Sequence, residues 1–531
     1  MLGVVFTLAM MELSWIRFKN TPTITTIETT TYPIWNVPFP AVTVCNINKV
    51  DRSRAENLIE SLISLNLTRQ EATDLLGAMA SLVNYESTNT SFENEGKLGQ
   101  LGYSPAKMLL ELNQPCDSLI KSCYWLGMEV SCAKIFQMTK THVGFCCSFN
   151  ADKAMNVGNE TFARPPPLTN IRLSGAGKHV GLSILVDVAP ENYMAPTKSF
   201  YGAEIFIHSP NDFPADSDFE DTLQPGWDAD FCITPMPIES SPTLEQVPLS
   251  QRKCFMPNEG TLQSNNTFSL NLCMSECRLR TIIKLCNCVP FYYADFNITE
   301  MKGIEACTLR NVNCLRHFRK YFYSLKPPKE MSSDSFSFDL GMDCECKPSC
   351  TFLNYNVQSI SSKRLAGSFT SSYFGGRDVA NYATLHVHFK DLYCVKYRRE
   401  AFLSWDSLLA SFGGIFGLCM GGSVLSIVEL FYYFVVKPFA FYSARRREAS
   451  ASDKVAMTKQ QKRPKSIRVF RPGRYPHGYF ERSKNVFRER MSGRGKPKLF
   501  AVMPRNGYPN NMQGVMAVKN TNGDLNTVFL Y

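Results

Sequence analysis

Two apolar stretches bracket the chain. Ser407 to Val436 is apolar with a single charge, Glu429, and as a helix it would measure about 45 Å against roughly 30 Å of bilayer hydrocarbon. It is too long and too uniformly apolar for a buried helix of a soluble domain, so it predicts a membrane span. Met1 to Met11 is also apolar but would cover only about 16 Å. A signal peptide would bring a basic n-region and a small-residue cleavage site. Neither is evident around Met1 to Trp15, so this stretch is read as the outer half of a first transmembrane helix.

Between the two stretches the pattern changes. From Ala55 to Val83, Leu58, Leu62, Ile63, Leu75, Leu76, Met79 and Leu82 recur at helical spacing, which predicts a helical subregion. Ala203 to His208 and Ala383 to Phe389 alternate with period two and predict strands. Leu270 to Cys286 reads as a helix. The region between the spans is therefore a mixed α and β domain. No internal repeat is visible, and the tail after Ser443, rich in Arg, Lys, Ser, Gly and Pro, is expected to be largely disordered.

Cysteine usage sets the compartment. Eighteen of the 19 cysteines lie between Cys45 and Cys394, which places that stretch in an oxidising environment. The glycosylation acceptor sequences at Asn66, Asn89, Asn159, Asn265 and Asn297 all fall in the same stretch and none in the tail. Charge divides along the same line: from Ser443 onward there are 20 basic and 5 acidic residues, leaving 37 basic and 42 acidic before it. A tail of +15 that opens with Arg445, Arg446 and Arg447 directly after an apolar run suits a cytosolic anchor on anionic inner-leaflet lipid, not a nucleic-acid partner. Both termini are then cytosolic and the middle is outside the cell.

The cysteine spacing carries structure of its own. Cys273 and Cys277, four apart on a helix, would share a face about 6 Å apart, and Cys344 and Cys346, two apart on an extended strand, would share one about 6.6 Å apart. The two pairs match like rungs. Cys286 and Cys288 form a second set with Cys307 and Cys314, and Cys254 and Cys350 bracket the block. Zinc also takes paired cysteines, but no histidine joins this pattern and an oxidising compartment favours disulfides. His386-Val387-His388 would put two imidazoles on one face of a strand, which permits a metal without demanding one; no metal site is expected. The acidic residues from Asp212 to Asp230 read as a solvated loop.

The run Phe39-Pro40-Ala41-Val42-Thr43-Val44-Cys45-Asn46, the cysteine block, and Gly421-Gly422-Ser423 followed by Glu429 resemble the degenerin/epithelial sodium channel superfamily, over about Trp35 to Tyr433. Pro33-Ile34-Trp35-Asn36, His208-Ser209-Pro210, Gln251-Arg252-Lys253-Cys254 and Cys344-Glu345-Cys346-Lys347-Pro348-Ser349-Cys350 are similar to its pickpocket branch. The resemblance implies a membrane protein of two transmembrane helices, the first truncated, flanking a disulfide-rich α+β extracellular domain with finger, thumb, palm, knuckle and β-ball regions. Residues 1–18 would be the remnant of the first helix, 19–400 the extracellular domain with its thumb at 251–350, 401–437 the pore-lining second helix and 438–531 the basic tail. Its disulfide pattern implies Cys45 with Cys146, Cys123 with Cys132, Cys254 with Cys350, Cys273 with Cys346, Cys277 with Cys344, Cys286 with Cys314 and Cys288 with Cys307. Cys116, Cys147, Cys232 and Cys394 receive no partner, and Cys419 lies in the membrane segment.

The resemblance also implies a homo- or heterotrimeric, amiloride-sensitive, sodium-preferring channel in the plasma membrane, sensory or epithelial, with sodium as the permeant ion and no cofactor. Each glycine in a helix costs about 1 kcal/mol relative to alanine, so Gly417 to Ser423 is a poor helix, and irregular backbone at membrane depth is tolerated where it is buried or lines water. Gly421, Gly422 and Ser423 would form the selectivity filter, presenting carbonyls and hydroxyls to a partly dehydrated cation. Ala410 matches the site whose enlargement holds the gate open, Gly417 a position of amiloride block, and Glu429 would lie on the cytosolic side of the filter. Ser411 stands where many relatives carry an acidic residue. The family's cytosolic His-Gly motif would precede the first helix and so lie before Met1, and no Pro-Pro-x-Tyr appears in the tail.

Two rival classes share parts of this pattern. ATP-gated trimeric channels have the same topology with a different cysteine pattern and pore sequence. A single-pass receptor or adhesion protein would need Met1 to Met11 as a signal peptide. No nucleophile elbow, phosphate loop or zinc-protease motif is present, so no enzyme is expected.

Overall fold

A computed structural model of the chain describes residues 2–85, 94–151, 171–214, 219–257, 259–260, 262–263, 268–326, 341–365, 382–445, 515–519 and 525–529. Two sheets organise the part up to Phe439. The larger contains β1 (Thr23–Pro33), β3 (Ile120–Trp125), β4 (Met128–Val130), β7 (Leu182–Val186), β10 (Trp227–Ser240), β11 (Phe352–Lys363), β12 (Ala383–Phe389) and β13 (Tyr393–Ala401). Their order is β1-β13-β10-β12-β7-β3-β4, with β11 also paired to β10. The smaller sheet runs β5-β6-β2-β8-β9, built from β2 (Ala41–Asn46), β5 (Phe136–Thr141), β6 (Gly144–Phe149), β8 (Ala203–His208) and β9 (Phe219–Leu223).

One core lies between the sheets. It gathers Val42, Val44, Phe149, Ile205 and Ile207 from the smaller sheet with Ile184, Phe231, Ile233, Leu385, Val387 and Phe389 from the larger. Phe39 is fully buried at its centre, with ring centroids 5.2 Å from Trp125, 5.4 Å from Phe389 and 6.1 Å from Phe149. The Phe39-to-Asn46 motif is thus a plug followed by a central strand. Its last residue, Asn46, donates to Gln114 Oε1 at 2.6 Å and to the Val188 carbonyl at 3.1 Å.

The second core is helical. The periodic run Ala55 to Val83 forms Arg52–Ser64, Arg69–Ala78 and a 3-10 turn Met79–Leu82. Asp51 caps the first by accepting from the Ser53 and Arg54 amides, and Thr68 with Glu71 forms a capping box on the second, which explains the break between them. The same core contains the buried face of the helix Leu270–Cys286, which starts at the Ser269 cap and stops at Asn287 in the left-handed conformation.

Eight disulfides staple these layers among the described residues. Seven join the pairs that the resemblance implies: Cys45–Cys146, Cys123–Cys132, Cys254–Cys350, Cys273–Cys346, Cys277–Cys344, Cys286–Cys314 and Cys288–Cys307. The eighth, Cys116–Cys147, joins two cysteines left without partners by the sequence. Cys344 and Cys346 sit in irregular backbone and not on the extended strand expected for them, so the helix alone supplies the regular side of the ladder. Cys232, Cys394 and Cys419 are free thiols.

The residues from Ala440 onward form a separate unit. Within it Val515–Lys519 and Leu525–Phe529 pair antiparallel, Val515 opposite Phe529 and Lys519 opposite Leu525, where no strand was expected.

Candidate functional site: a broken helix and its supports

The outermost ladder of the large sheet carries a helix at each strand end. β1 pairs antiparallel with β13, from Thr23 opposite Ala401 to Pro33 opposite Tyr393. The helix Leu2–Asn20 enters β1 and the helix Trp405–Met420 leaves β13, with the Phe402 amide donating to the Pro22 carbonyl at 3.0 Å. Ion pairs brace the ladder: Lys396 reaches Glu28 at 3.4 Å and Glu239 at 2.7 Å, and Arg398 reaches Glu28 at 2.8 Å. The two helices run antiparallel side by side. Trp405 lies 6.3 Å from Trp15 and 5.3 Å from Phe18 at the sheet end, and Gly3 meets the Cys419 backbone at the other.

The expected single run from Ser407 to Val436 is divided in the structure. Trp405–Met420 ends at Gly421, whose φ of 63° is left-handed and whose amide donates to the Gly417 carbonyl at 2.9 Å. Gly422 has no room for a side chain, because a Cβ there would enter the Phe416 ring. Ser423 is extended and caps a new helix, Val424–Phe431, by accepting from the Ser426 amide at 3.3 Å. A π-helical turn, Tyr432–Val436, follows. As a result, no helix among the described residues is long and apolar enough to cross a membrane. The second segment is split into 16 and 8 residues, about 24 Å and 12 Å, and the first carries Glu12, Arg17 and Lys19.

Ala410 and Glu429 are both exposed, on opposite sides of the break in sequence, and Gly417 is half-buried one turn before it. The surface of these helices is strongly apolar: Leu418 is 88% exposed, Leu425 77% and Phe434 76%. A continuous apolar surface of this kind needs lipid or neighbouring protein to cover it. Asn66 and Asn297 are exposed, each with a positive φ, and Asn89, Asn159 and Asn265 lie outside the described residues.

The large sheet has a polar face that the sequence shows only in part. On β12, Thr384, His386 and His388 face away from the core, opposite Asp228, Asp230 and Cys232 of β10 in parallel register. His386 Nδ1 lies 2.7 Å from Ser183 Oγ and its Nε2 3.2 Å from Asp228. Burial pushes the His386 imidazole below its usual value, with Asp228 opposing. Burial alone would raise Asp228, but hydrogen bonds from His386 and Thr384 and the nearby charge of Lys178 hold it far below the carboxylate range. The two histidines therefore share a face, as their spacing predicts, but each engages a different carboxylate.

Known proteins are similar in sequence to this chain over most of its length. The family model described as amiloride-sensitive sodium channel matches residues 1–433. The chain is 25% identical over 430 residues to the sodium channel protein Nach of Drosophila ananassae, covering 80% of this chain and 77% of that one. It is 23% identical to pickpocket protein 28 of Drosophila melanogaster, over 80% and 71% of the two chains. It is 24% identical to the bile acid-sensitive ion channel of Mus musculus, over 79% and 77%. The match over most of the chain places it among the subunits of membrane-embedded ion channels. The chain belongs to the amiloride-sensitive sodium channel family.

Sequence reasoning located the small residues at which the helix breaks, the first strand motif and the cysteine pairs of the 254–350 block. It missed Cys116–Cys147, whose signal was the otherwise unused cysteine beside Cys146, and the placement of Cys232 against His388.

Proposed function

We propose that the chain is a subunit of a trimeric, sodium-preferring, amiloride-sensitive cation channel of the plasma membrane, with both termini cytosolic. Gly421, Gly422 and Ser423 from each subunit form the constriction. The observation that carries this reading is the left-handed Gly421 between two helices. It turns backbone carbonyls away from helical hydrogen bonding at the place where a partly dehydrated cation needs oxygen ligands. Two short helices in series cover the roughly 30 Å of hydrocarbon that neither covers alone. The exposed apolar surface is then covered by lipid and sister subunits, Glu429 faces the cytosolic mouth, Gly417 contacts amiloride, and the basic tail lies on anionic inner-leaflet lipid.

The test is voltage-clamp current in oocytes expressing the chain with Ala410→Val, with sodium replaced and amiloride added. A constitutive, sodium-dependent current blocked by amiloride is expected. Glycosylated protein at the surface with no current, alone or with a co-expressed relative, would overturn the reading in favour of a receptor or adhesion role.

A further inference from the structure

We propose that Asp230, Cys232 and His388 form a binding site for a divalent transition-metal ion of the zinc class on the polar face of the large sheet. The three ligand atoms lie within 4.8 Å of one another. Cys232 and His388 are direct partners across the β10/β12 ladder, and Asp230 lies on the same face two residues before Cys232. The ligands are therefore fixed by backbone pairing and not by a loop.

The distances suit a tetrahedral ion. Zinc bonds of about 2.3 Å to sulfur and 2.0–2.1 Å to nitrogen imply a sulfur-to-nitrogen separation of about 3.6 Å; Cys232 Sγ lies 3.6 Å from His388 Nε2. Asp230 Oδ1 is 2.8 Å from the same nitrogen and needs to retreat by about 0.5 Å to share an ion with it. Sulfur, nitrogen and one carboxylate oxygen favour zinc or cadmium over calcium or magnesium, which take oxygen shells. Three protein ligands leave a fourth position open, and with Asp230 and Cys232 half-buried that position is reachable from solvent.

The hydrogen bonding around His388 points the same way. Its Nδ1 is 3.1 Å from the Phe389 carbonyl and its Nε2 2.8 Å from a carboxylate oxygen, so each ring nitrogen faces an acceptor. His208 shows the contrast: its Nδ1 faces the Ser209 carbonyl and its Nε2 the Thr43 hydroxyl, one acceptor and one donor. A metal on Nε2 of His388 leaves Nδ1–H to donate to the carbonyl, the usual orienting bond behind a metal-bound histidine. The Cys232 thiol, pushed up by burial and by Asp230, gives up its proton on binding.

The experiment titrates the detergent-purified full chain with cadmium and reads the thiolate-to-metal charge-transfer absorption, with mass-spectrometric protection of Cys232 from alkylation as a second readout. One equivalent per chain is expected. Cys232→Ser should abolish both signals, Cys394→Ser should leave them unchanged, and Asp230→Asn should weaken binding by at least about tenfold, since losing a direct ligand costs no less than losing an outer-shell partner. Asp230→Asn changes a half-buried side chain without altering its size, so it tests the site if substitution of the buried His388 prevents folding. Absorption persisting in Cys232→Ser, its loss in Cys394→Ser, or Cys232 found in a disulfide would each overturn the proposal. No readout depends on current, so it stands or falls separately from the channel reading.

Discussion

Gly3 sits against Cys419: a Cβ on Gly3 would lie 3.3 Å from the Cys419 carbonyl oxygen. Thr7, one turn on, is buried, and its hydroxyl donates back to the Gly3 carbonyl at 2.7 Å. The first helix thus approaches the end of the second through its smallest residue, as closely packed membrane helices do. Gly3→Ala should be accommodated by a shift of a few tenths of an ångström, whereas Gly3→Leu should separate the helices. Oxidative cross-linking of Trp15→Cys with Trp405→Cys checks this, because Gly3→Leu is expected to reduce the cross-link while Gly3→Ala preserves it.

The break at Gly421 makes a graded prediction. A side chain in the left-handed region costs roughly 1–2 kcal/mol, least for asparagine. Sodium-over-potassium selectivity in the Ala410→Val background should therefore fall in the order Gly421→Asn, Gly421→Ala, Gly421→Val. At Gly422 the obstacle is the Phe416 ring, so Gly422→Ala should impair selectivity and Phe416→Ala should partly restore it. Reversal-potential shifts measure both.

Removal of the Cys116–Cys147 bond, which closes a separation of 31 residues, should lower stability by about 4 kcal/mol on the loop-entropy model. The Cys116→Ser/Cys147→Ser double variant is expected to melt earlier than the wild type and to remain foldable. Thermal unfolding of purified protein, with non-reducing peptide maps, decides it; an unchanged melting temperature would count against the bond.

His208 gives the fold a dependence on acid. Burial lowers its pKa to about 4, against the usual 6.5, although its bond to the Ser209 carbonyl opposes the shift. The unfolded chain then binds a proton between these values and the native one does not, so stability rises with pH through this window. Between pH 7 and pH 5 the loss on acidification is about 2 kcal/mol from this group. Denaturant titration at the two pH values, with and without His208→Gln, should show a shallower pH dependence in the variant.

Some of this architecture is legible in the residues and some is not, for physical reasons. The helix Leu270–Cys286 and the strands Ala203–His208 and Ala383–Phe389 have the bounds that their periodicity predicts. Periodicity reports which side chains share a face, and that is local. It does not report what covers the face: His386 and His388 alternate correctly with Leu385 and Val387, yet both histidines are buried under a neighbouring strand's carboxylates. The partnership of Cys232 with His388 depends on parallel pairing of strands 156 residues apart, and nothing local in sequence encodes that register. At Gly421 the opposite held, since three small residues in an apolar run gave the location of the break, although the two helices it creates were expected as one.

The β1/β13 ladder fastens the first helix and the second to the same pair of strands, a few residues from each helix end. The two helices share one hinge-line, so turning one without the other would require the hydrogen bonds of that ladder to give way.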